Sequence, residues 1–155
     1  MATTFFAPAM ADVDILTGAI GLEQQAQFAY GAGAKSGLLS ADVVKVATAI
    51  ADQHKQHEAA LTAAVTKLGG TVPTAATSYP NLNLGTLKTQ EDVLKLALML
   101  EVQAANAYFD AFTKLTDVGL KNAGLSIMND ETQHVAILRS ALGMDPMSSS
   151  FMPLK

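Results

Sequence analysis

The sequence contains no cysteine, so several kinds of site are excluded at once. Disulfides, thiolate metal sites, iron–sulfur clusters and cysteine nucleophiles all need a thiol. Charged residues are also few, at 15% of the chain against roughly a quarter in an average soluble domain. The net charge is −4, whereas a nucleic-acid-binding protein would carry a basic face. We therefore expect no nucleic-acid partner.

A long apolar run is also missing. No stretch approaches the roughly 18 apolar residues that would span a membrane, and Lys95 and Glu101 interrupt the segment LALML within a few positions. The first ten residues are partly apolar but have no basic segment before them, which makes a poor signal peptide. We expect no membrane span. The compartment stays open: cytoplasmic as given, or periplasmic if the chain is a processed form.

What the chain does contain is a repeated nonapeptide. LEQQAQFAY begins at Leu22 and LEVQAANAY begins at Leu100, and six of the nine positions are identical. The copies lie 78 residues apart, and each carries one carboxylate, Glu23 or Glu101. The same order of residues in both copies indicates two similar structural units.

Apolar residues recur with the period of an α-helix, and strand alternation is nearly absent. Ser40 is a good N-cap, and Thr89 with Asp92 resembles a capping box. We predict a single all-α domain over residues 1–155, with an irregular tail at 143–155. Its four helices are expected at about 11–34, 41–68, 90–115 and 119–142.

Loop lengths indicate the topology. The first and second helices, like the third and fourth, have short connections and should form antiparallel hairpins. The linker between the hairpins has some twenty residues with turn composition, enough to run the length of a bundle. We predict a four-helix bundle with one long crossover. A flexible tether between two separate hairpins is the alternative, but a lone hairpin buries too little surface to be stable.

Polar residues interrupt the apolar face of each helix at about one level. Glu23 and Glu101 are single carboxylates on apolar stripes. By contrast, Glu58 and Lys55 lie on the outward face of their helix and should be solvated. The other two helices carry one inward pair each, spaced one turn apart on one face: His54 with His57, and Glu131 with His134. Glu23 and His57 are 34 residues apart and Glu101 and His134 are 33, so a helical hairpin is duplicated.

These inward residues are candidate metal ligands. Three carboxylates in an apolar core would each cost several kcal/mol unless paired, protonated or bound to metal, and no inward Lys or Arg is present to pair with them. Oxygen and imidazole donors without sulfur favour iron or manganese, with zinc as an alternative. A purely structural, hydrogen-bonded cluster stays open. Tyr30 and Tyr108 either bond to the site or simply belong to the core.

The pattern of Glu23, the helix-two pair, Glu101 and DETQH resembles the di-metal pattern of the ferritin-like superfamily. The chain looks most like small bacterial ferritin-like proteins related to plant desiccation-related proteins, and more distantly like rubrerythrin and manganese catalase. The resemblance covers about residues 11–143 and implies a ferritin-like bundle that binds two iron ions. It also implies that Asp130, just before Glu131, supports His57 as a hydrogen-bond partner. Gln53, Tyr30 and Tyr108 are further residues expected beside the ligands.

His54 departs from the family pattern, which has Glu at this position. Imidazole does not bridge two metals as a carboxylate does, so only Glu131 remains as a bridge. The ligand charge falls from −4 to −3. A looser di-metal site, a single metal and a decayed site are all open.

The resemblance implies a redox metalloprotein that acts on dioxygen or peroxide in stress protection. If it is an enzyme, it is a di-metal oxidoreductase with an external electron donor, because a rubredoxin-type relay needs cysteine. The alternative is a non-catalytic stress or interaction protein with a structural, mononuclear or decayed site. A storage shell is not favoured, since no extra helix is visible, and homo-oligomerisation stays open.

Overall fold

The computed structural model describes residues 6–147 and 152–154, with side chains from residue 11 onwards. Within this part of the chain there are four long helices and no β-strand. The helices are α1 (Phe6–Lys35), α2 (Ala41–Lys67), α3 (Gln90–Lys114) and α4 (Val118–Ala141). The predicted all-α fold of two helical hairpins is confirmed. Of the tail expected to be irregular, residues 148–151 and 155 lie outside the described residues.

The helix boundaries follow local sequence signals, with one difference. Ser40 accepts a hydrogen bond from the backbone N–H of Val43, and Thr89 and Asp92 form the full capping box. α1, however, begins at Phe6 rather than near residue 11. A proline at position 8 does not prevent this, because the first-turn N–H groups of a helix have no partner within the helix.

The linker between α2 and α3 is packed rather than free. It contains two short 3₁₀ turns, Pro80–Leu82 and Leu84–Thr86. Leu82 is buried and packs with Ala29 of α1 and Leu100 of α3. The linker therefore joins the apolar core across both hairpins, which argues against a flexible tether.

Each hairpin contacts the connecting turn of the other hairpin through one side chain. Asp12 of α1 accepts from the backbone N–H groups of Thr116 at 2.9 Å and Asp117 at 3.2 Å, at the start of α4. Gln90 of α3 accepts from the backbone N–H of Ser40 at 2.8 Å, at the start of α2. Gln90 lies 78 residues after Asp12, so these contacts obey the repeat seen in the sequence.

The two larger of the three apolar clusters in the described part of the core have a polar layer between them. One cluster is centred on Leu16, Ile20, Leu61, Val65 and Ile127, and the other on Ala26, Tyr30, Ile50, Leu94 and Leu138. α1 packs directly on α3, whereas α2 and α4 approach each other at few points. The polar layer and the gap between α2 and α4 together position the site.

Candidate metal centre

The six predicted ligands lie together in the polar layer. They come from all four helices, and all are buried: Glu23, His54, His57, Glu101, Glu131 and His134. Burial of Glu101 and Glu131 is complete, at 0% exposure. The six side chains therefore lie on the inward faces, where the sequence pattern predicted them.

These residues form two overlapping groups. Within each group, one donor atom per residue lies within 4.8 Å of all the others, which is close enough for a metal ion to be held between them. The first group is Glu23, His54, His57 and Glu131, and the second is His54, Glu101, Glu131 and His134. His54 and Glu131 belong to both groups and so occupy the middle of the site.

His54 donates hydrogen bonds from both ring nitrogens. Its Nδ1 lies 2.7 Å from Oε2 of Glu23, and its Nε2 lies 3.2 Å from Oε1 of Glu101. An ionised carboxylate can only accept, and the lowered pKa values of Glu23 and Glu101 with the raised pKa of His54 favour a positively charged imidazole that donates from both nitrogens. His54 thus links the carboxylates of α1 and α3 in the absence of metal.

The other two histidines each have a partner outside the ligand groups. His57 donates from Nε2 to Asp130 at 3.2 Å, and His134 donates from Nε2 to Gln53 at 2.9 Å. In one contact α2 supplies the histidine and α4 its partner, and in the other the roles are exchanged. They also fix which nitrogen faces the site, since Nδ1 of each ring is directed toward the carboxylates.

The two tyrosines bond to the carboxylates across the hairpins. Tyr30 of α1 donates to Glu101 of α3, and Tyr108 of α3 donates to Glu23 of α1. Each hydroxyl therefore holds the carboxylate of the opposite repeat. The sequence left open whether the tyrosines bond to the site, and in the structure both do.

Two buried atoms in the site have no hydrogen-bond partner. They are Nδ1 of His57 and Oε1 of Glu131, which lie 3.2 Å apart. Buried polar atoms are nearly always satisfied, and unsatisfied ones point to a missing water or ion. Both atoms belong to the first ligand group, and imidazole nitrogen with carboxylate oxygen suits a transition metal. The residues present fit a metal ion.

In the metal-free site the histidines and the carboxylates shift one another's pKa values. Burial by itself would lower the pKa of each histidine, but the carboxylates outweigh it and raise the pKa of His54 and His57 to about 10 and that of His134 to about 9. Burial would raise the pKa of Glu23 and Glu101, yet hydrogen bonds from the histidines hold both below the ordinary value. For Glu131, burial prevails and its pKa is raised.

A polar depression reaches the site from the surface between α2 and α4. Its volume is about 330 Å³, and its lining is Gln53, Gln56, His57, Ser126, Ile127, Asn129 and Asp130. Asp130 is half-buried at this opening while His57 lies deeper. A cation entering here would meet the carboxylate of Asp130 before it reached the ligand groups.

A family model now identifies the fold. The model of the ferritin-like domain matches residues 11–144, most of the chain. The chain belongs to the ferritin-like domain family. This confirms the resemblance read from the sequence, and with it a ferritin-like bundle with a buried His/Glu cluster that can hold a metal ion.

A solved structure shares the fold of this chain. The chain is similar to the crystal structure of a conserved hypothetical protein from Mycobacterium tuberculosis, at 20% identity and a TM-score of 0.80. The match covers 94% of this chain and 100% of the other. No curated protein matches the chain. None of the described helices is both long and apolar enough to cross a membrane.

Sequence reasoning missed one polar cluster beside the site. Glu58 was expected to be solvated, but it accepts hydrogen bonds from Gln24 at 2.8 Å and from Gln27 at 2.7 Å. Gln24 also donates to the backbone carbonyl of Pro73 in the linker. Two glutamines three residues apart on α1 were the available signal. Lys55 is exposed, as expected.

Proposed function

We propose that this ferritin-like protein is a redox metalloprotein that acts on dioxygen or peroxide in stress protection. It binds one or two transition-metal ions, with iron preferred over manganese or zinc. The observation that carries the proposal is the pair formed by His57 Nδ1 and Glu131 Oε1, two buried atoms 3.2 Å apart that make no hydrogen bond. Once the imidazole releases its proton, both atoms can bind one cation.

The ligands divide between two positions. One ion would be held by Glu23, His57 and Glu131, and a second by Glu101, Glu131 and His134, with His54 bound to one of them. Bound iron or manganese would supply one-electron redox chemistry. A neutral imidazole has one free lone pair, so His54 completes one position and leaves the other with fewer donors.

The residues around the ligands orient them. Asp130 and Gln53 hold the rings of His57 and His134 with Nδ1 toward the site, and the two tyrosines hold the carboxylates. Two apolar clusters cover the polar layer above and below, while the depression between α2 and α4 connects it to solvent. Electrons would come from an external donor, because the sequence has no cysteine for a rubredoxin-type relay.

Metal content decides this proposal first. Protein isolated without chelator is analysed for bound iron, manganese and zinc, and iron(II) is then titrated anaerobically into the metal-free chain. We expect at least one tightly bound transition-metal ion per chain, and oxidation of bound iron(II) when dioxygen or hydrogen peroxide is added. Metal that binds but never changes oxidation state with either oxidant would contradict the redox function.

The second candidate function is a non-catalytic stress or interaction protein with a structural or decayed site. It is favoured by His54, which already links Glu23 and Glu101 without a metal. Three histidines and three glutamates could then balance one another. A ligand that binds only the folded state raises the melting temperature by mass action. A melting temperature that is unchanged by iron, manganese, zinc and chelator would support this second function.

A further inference from the structure

A second, apolar compartment borders the site. It has a volume of about 190 Å³ and lies between the four helices. Ile50, Ala97 and Leu138 line it, and each is four residues, about one helical turn, from one of His54, Glu101 and His134. Tyr30 lines it too, with its hydroxyl bonded to Glu101. The compartment therefore shares a wall with the candidate metal centre.

The lining offers no free polar group. Of its seventeen residues only Tyr30 and Asp42 have polar side chains. The Tyr30 hydroxyl is already donated to Glu101, and Asp42 is exposed and pairs with Lys45 at 3.0 Å. Water in the deep part of the compartment would give up hydrogen bonds without replacing them, so this space favours an apolar occupant.

The equivalent space in the other half of the bundle is divided in two. The repeat relates Tyr30, Ile50, Ala97 and Leu138 to Tyr108, Ile127, Ala19 and Leu61, which line a cavity of only about 40 Å³. Matching residues thus enclose very different volumes. The equivalents of Ala29 and Leu96, which are Ala107 and Gly18, line a separate groove of about 370 Å³ whose walls include Asp110 and Lys114. One half of the bundle therefore has a single apolar compartment, and the other has a small cavity beside a partly polar groove.

We propose that this compartment is a binding site for a compact apolar molecule, about the size of a benzene ring. An apolar protein cavity of roughly 150 Å³ binds benzene, so about 190 Å³ is sufficient. Access is from the surface, because Val46 of α2 and Ile137 of α4 line the compartment and are 42% and 44% exposed. Binding depends on packing alone and needs no metal, so it stands apart from the redox function.

Benzene binding to the full, metal-free chain tests the proposal, by isothermal titration calorimetry and by the shift in melting temperature. We expect one saturable site per chain. Ala97→Leu and Ala47→Leu fill the compartment and should each weaken binding by at least about tenfold. Ala19→Leu, at the position equivalent to Ala97, is the matched control and should leave benzene affinity unchanged. Phenol should bind at least about tenfold more weakly, because its hydroxyl finds no partner inside.

Several outcomes would overturn the proposal. These are no saturable benzene binding, equal affinity in the folded Ala97→Leu and Ala47→Leu variants, loss of binding in folded Ala19→Leu, or equal binding of phenol. Should the filled variants not fold, nuclear Overhauser contacts between benzene and the methyl groups of Ile50 and Leu138 decide the matter in the unchanged protein. Contacts at other residues alone would reject the site. A dimer that binds benzene only after dissociation would show that a second copy is the occupant.

Discussion

His54 and Glu131 hold equivalent positions in the two hairpins, and their side chains meet at the centre of the site, with His54 Nδ1 3.7 Å from Glu131 Oε1. Around them the repeat is closely kept. Tyr30 and Tyr108 donate to opposite carboxylates, and His57 and His134 have matching partners. An imidazole facing a carboxylate is what makes the centre asymmetric.

A second break in the repeat increases this asymmetry. Asp130 supports His57, but the equivalent residue, Gln53, supports His134 with a neutral amide. One histidine therefore has a charged partner and the other does not. Because charged hydrogen bonds are roughly twice as strong as neutral ones, the two ligand groups should differ in basicity as well as in composition.

Asp12→Ala should destabilise the bundle. The Asp12 carboxylate is buried and accepts from Thr116 and from the backbone N–H of Asp117, so its removal leaves donors at the start of α4 unsatisfied. We expect a loss of about 3 kcal/mol in the free energy of unfolding, measured by urea denaturation. Asp14→Ala, two residues away and exposed, is the control and should change it by less than about 0.5 kcal/mol. Equal losses in both variants would refute this role.

Much of the fold could be predicted because its signals are local. Helical period, the Ser40 cap and the Thr89–Asp92 box depend on neighbours in the sequence. The site was predictable for a related reason. Residues one turn apart share a helix face, so His54 with His57 and Glu131 with His134 could be paired without knowing the packing.

The rest depended on contacts that no local pattern encodes. The bond from Gln90 to the Ser40 backbone requires knowing which hairpin turn lies beside α3. Glu58 is partly buried only because Gln24 and Gln27 on another helix reach it. The apolar compartment is the clearest case, since matching residues line one space of about 190 Å³ in one half and two separate spaces, of about 40 Å³ and about 370 Å³, in the other.

Asp130→Asn should weaken metal binding. The Asp130 carboxylate accepts from Nε2 of His57 and so favours the form whose Nδ1 is free for a metal. Loss of the charge should lower affinity for iron(II) by roughly 10- to 100-fold, measured by anaerobic calorimetry. Asp52→Asn, an exposed change on α2, is the control and should have no effect. Unchanged affinity in Asp130→Asn would mean that His57 is not a ligand.

Metal-free protein should lose stability as pH rises. Its histidines have pKa values raised from the ordinary 6.5 to about 9 or 10, so their stabilising contribution is fully present below pH 6.5. That contribution should decline through the alkaline range and be gone above about pH 10. The lowered pKa values of Glu23 and Glu101 act in the opposite sense, and their contribution is lost in acid.

Metal should reverse the alkaline slope. The ligands must release protons to bind a cation, so the stabilisation gained from metal should grow as pH rises. Thermal unfolding from pH 5 to 10, with chelator and with manganese(II), measures both slopes. The Glu91–Lys95 pair lies on the surface and supplies the control, since Glu91→Gln should leave both slopes unchanged. Parallel slopes with and without metal would count against binding at the histidines.

His54→Glu should convert the asymmetric centre into one that binds two ions well. The change supplies a second bridging carboxylate opposite Glu131 and restores a ligand charge of −4, as in the ferritin-like pattern. In the parent chain we expect two unequal affinities for iron(II) in anaerobic calorimetry, with the second ion weaker or absent. In His54→Glu the second affinity should rise by at least about tenfold, and oxidation of bound iron(II) should become faster.

His54→Ala separates the two effects of His54, because it removes the imidazole without adding a carboxylate. It should bind metal more weakly than the parent and should not gain the second ion. In the metal-free state it also removes the link between Glu23 and Glu101, leaving both carboxylates with fewer hydrogen-bond donors. The free energy of unfolding of metal-free His54→Ala should therefore fall. Metal-free His54→Glu loses the same link, but bound metal should restore its stability. Two equal, tight sites in the parent chain, unchanged in His54→Glu, would show that His54 does not set the asymmetry.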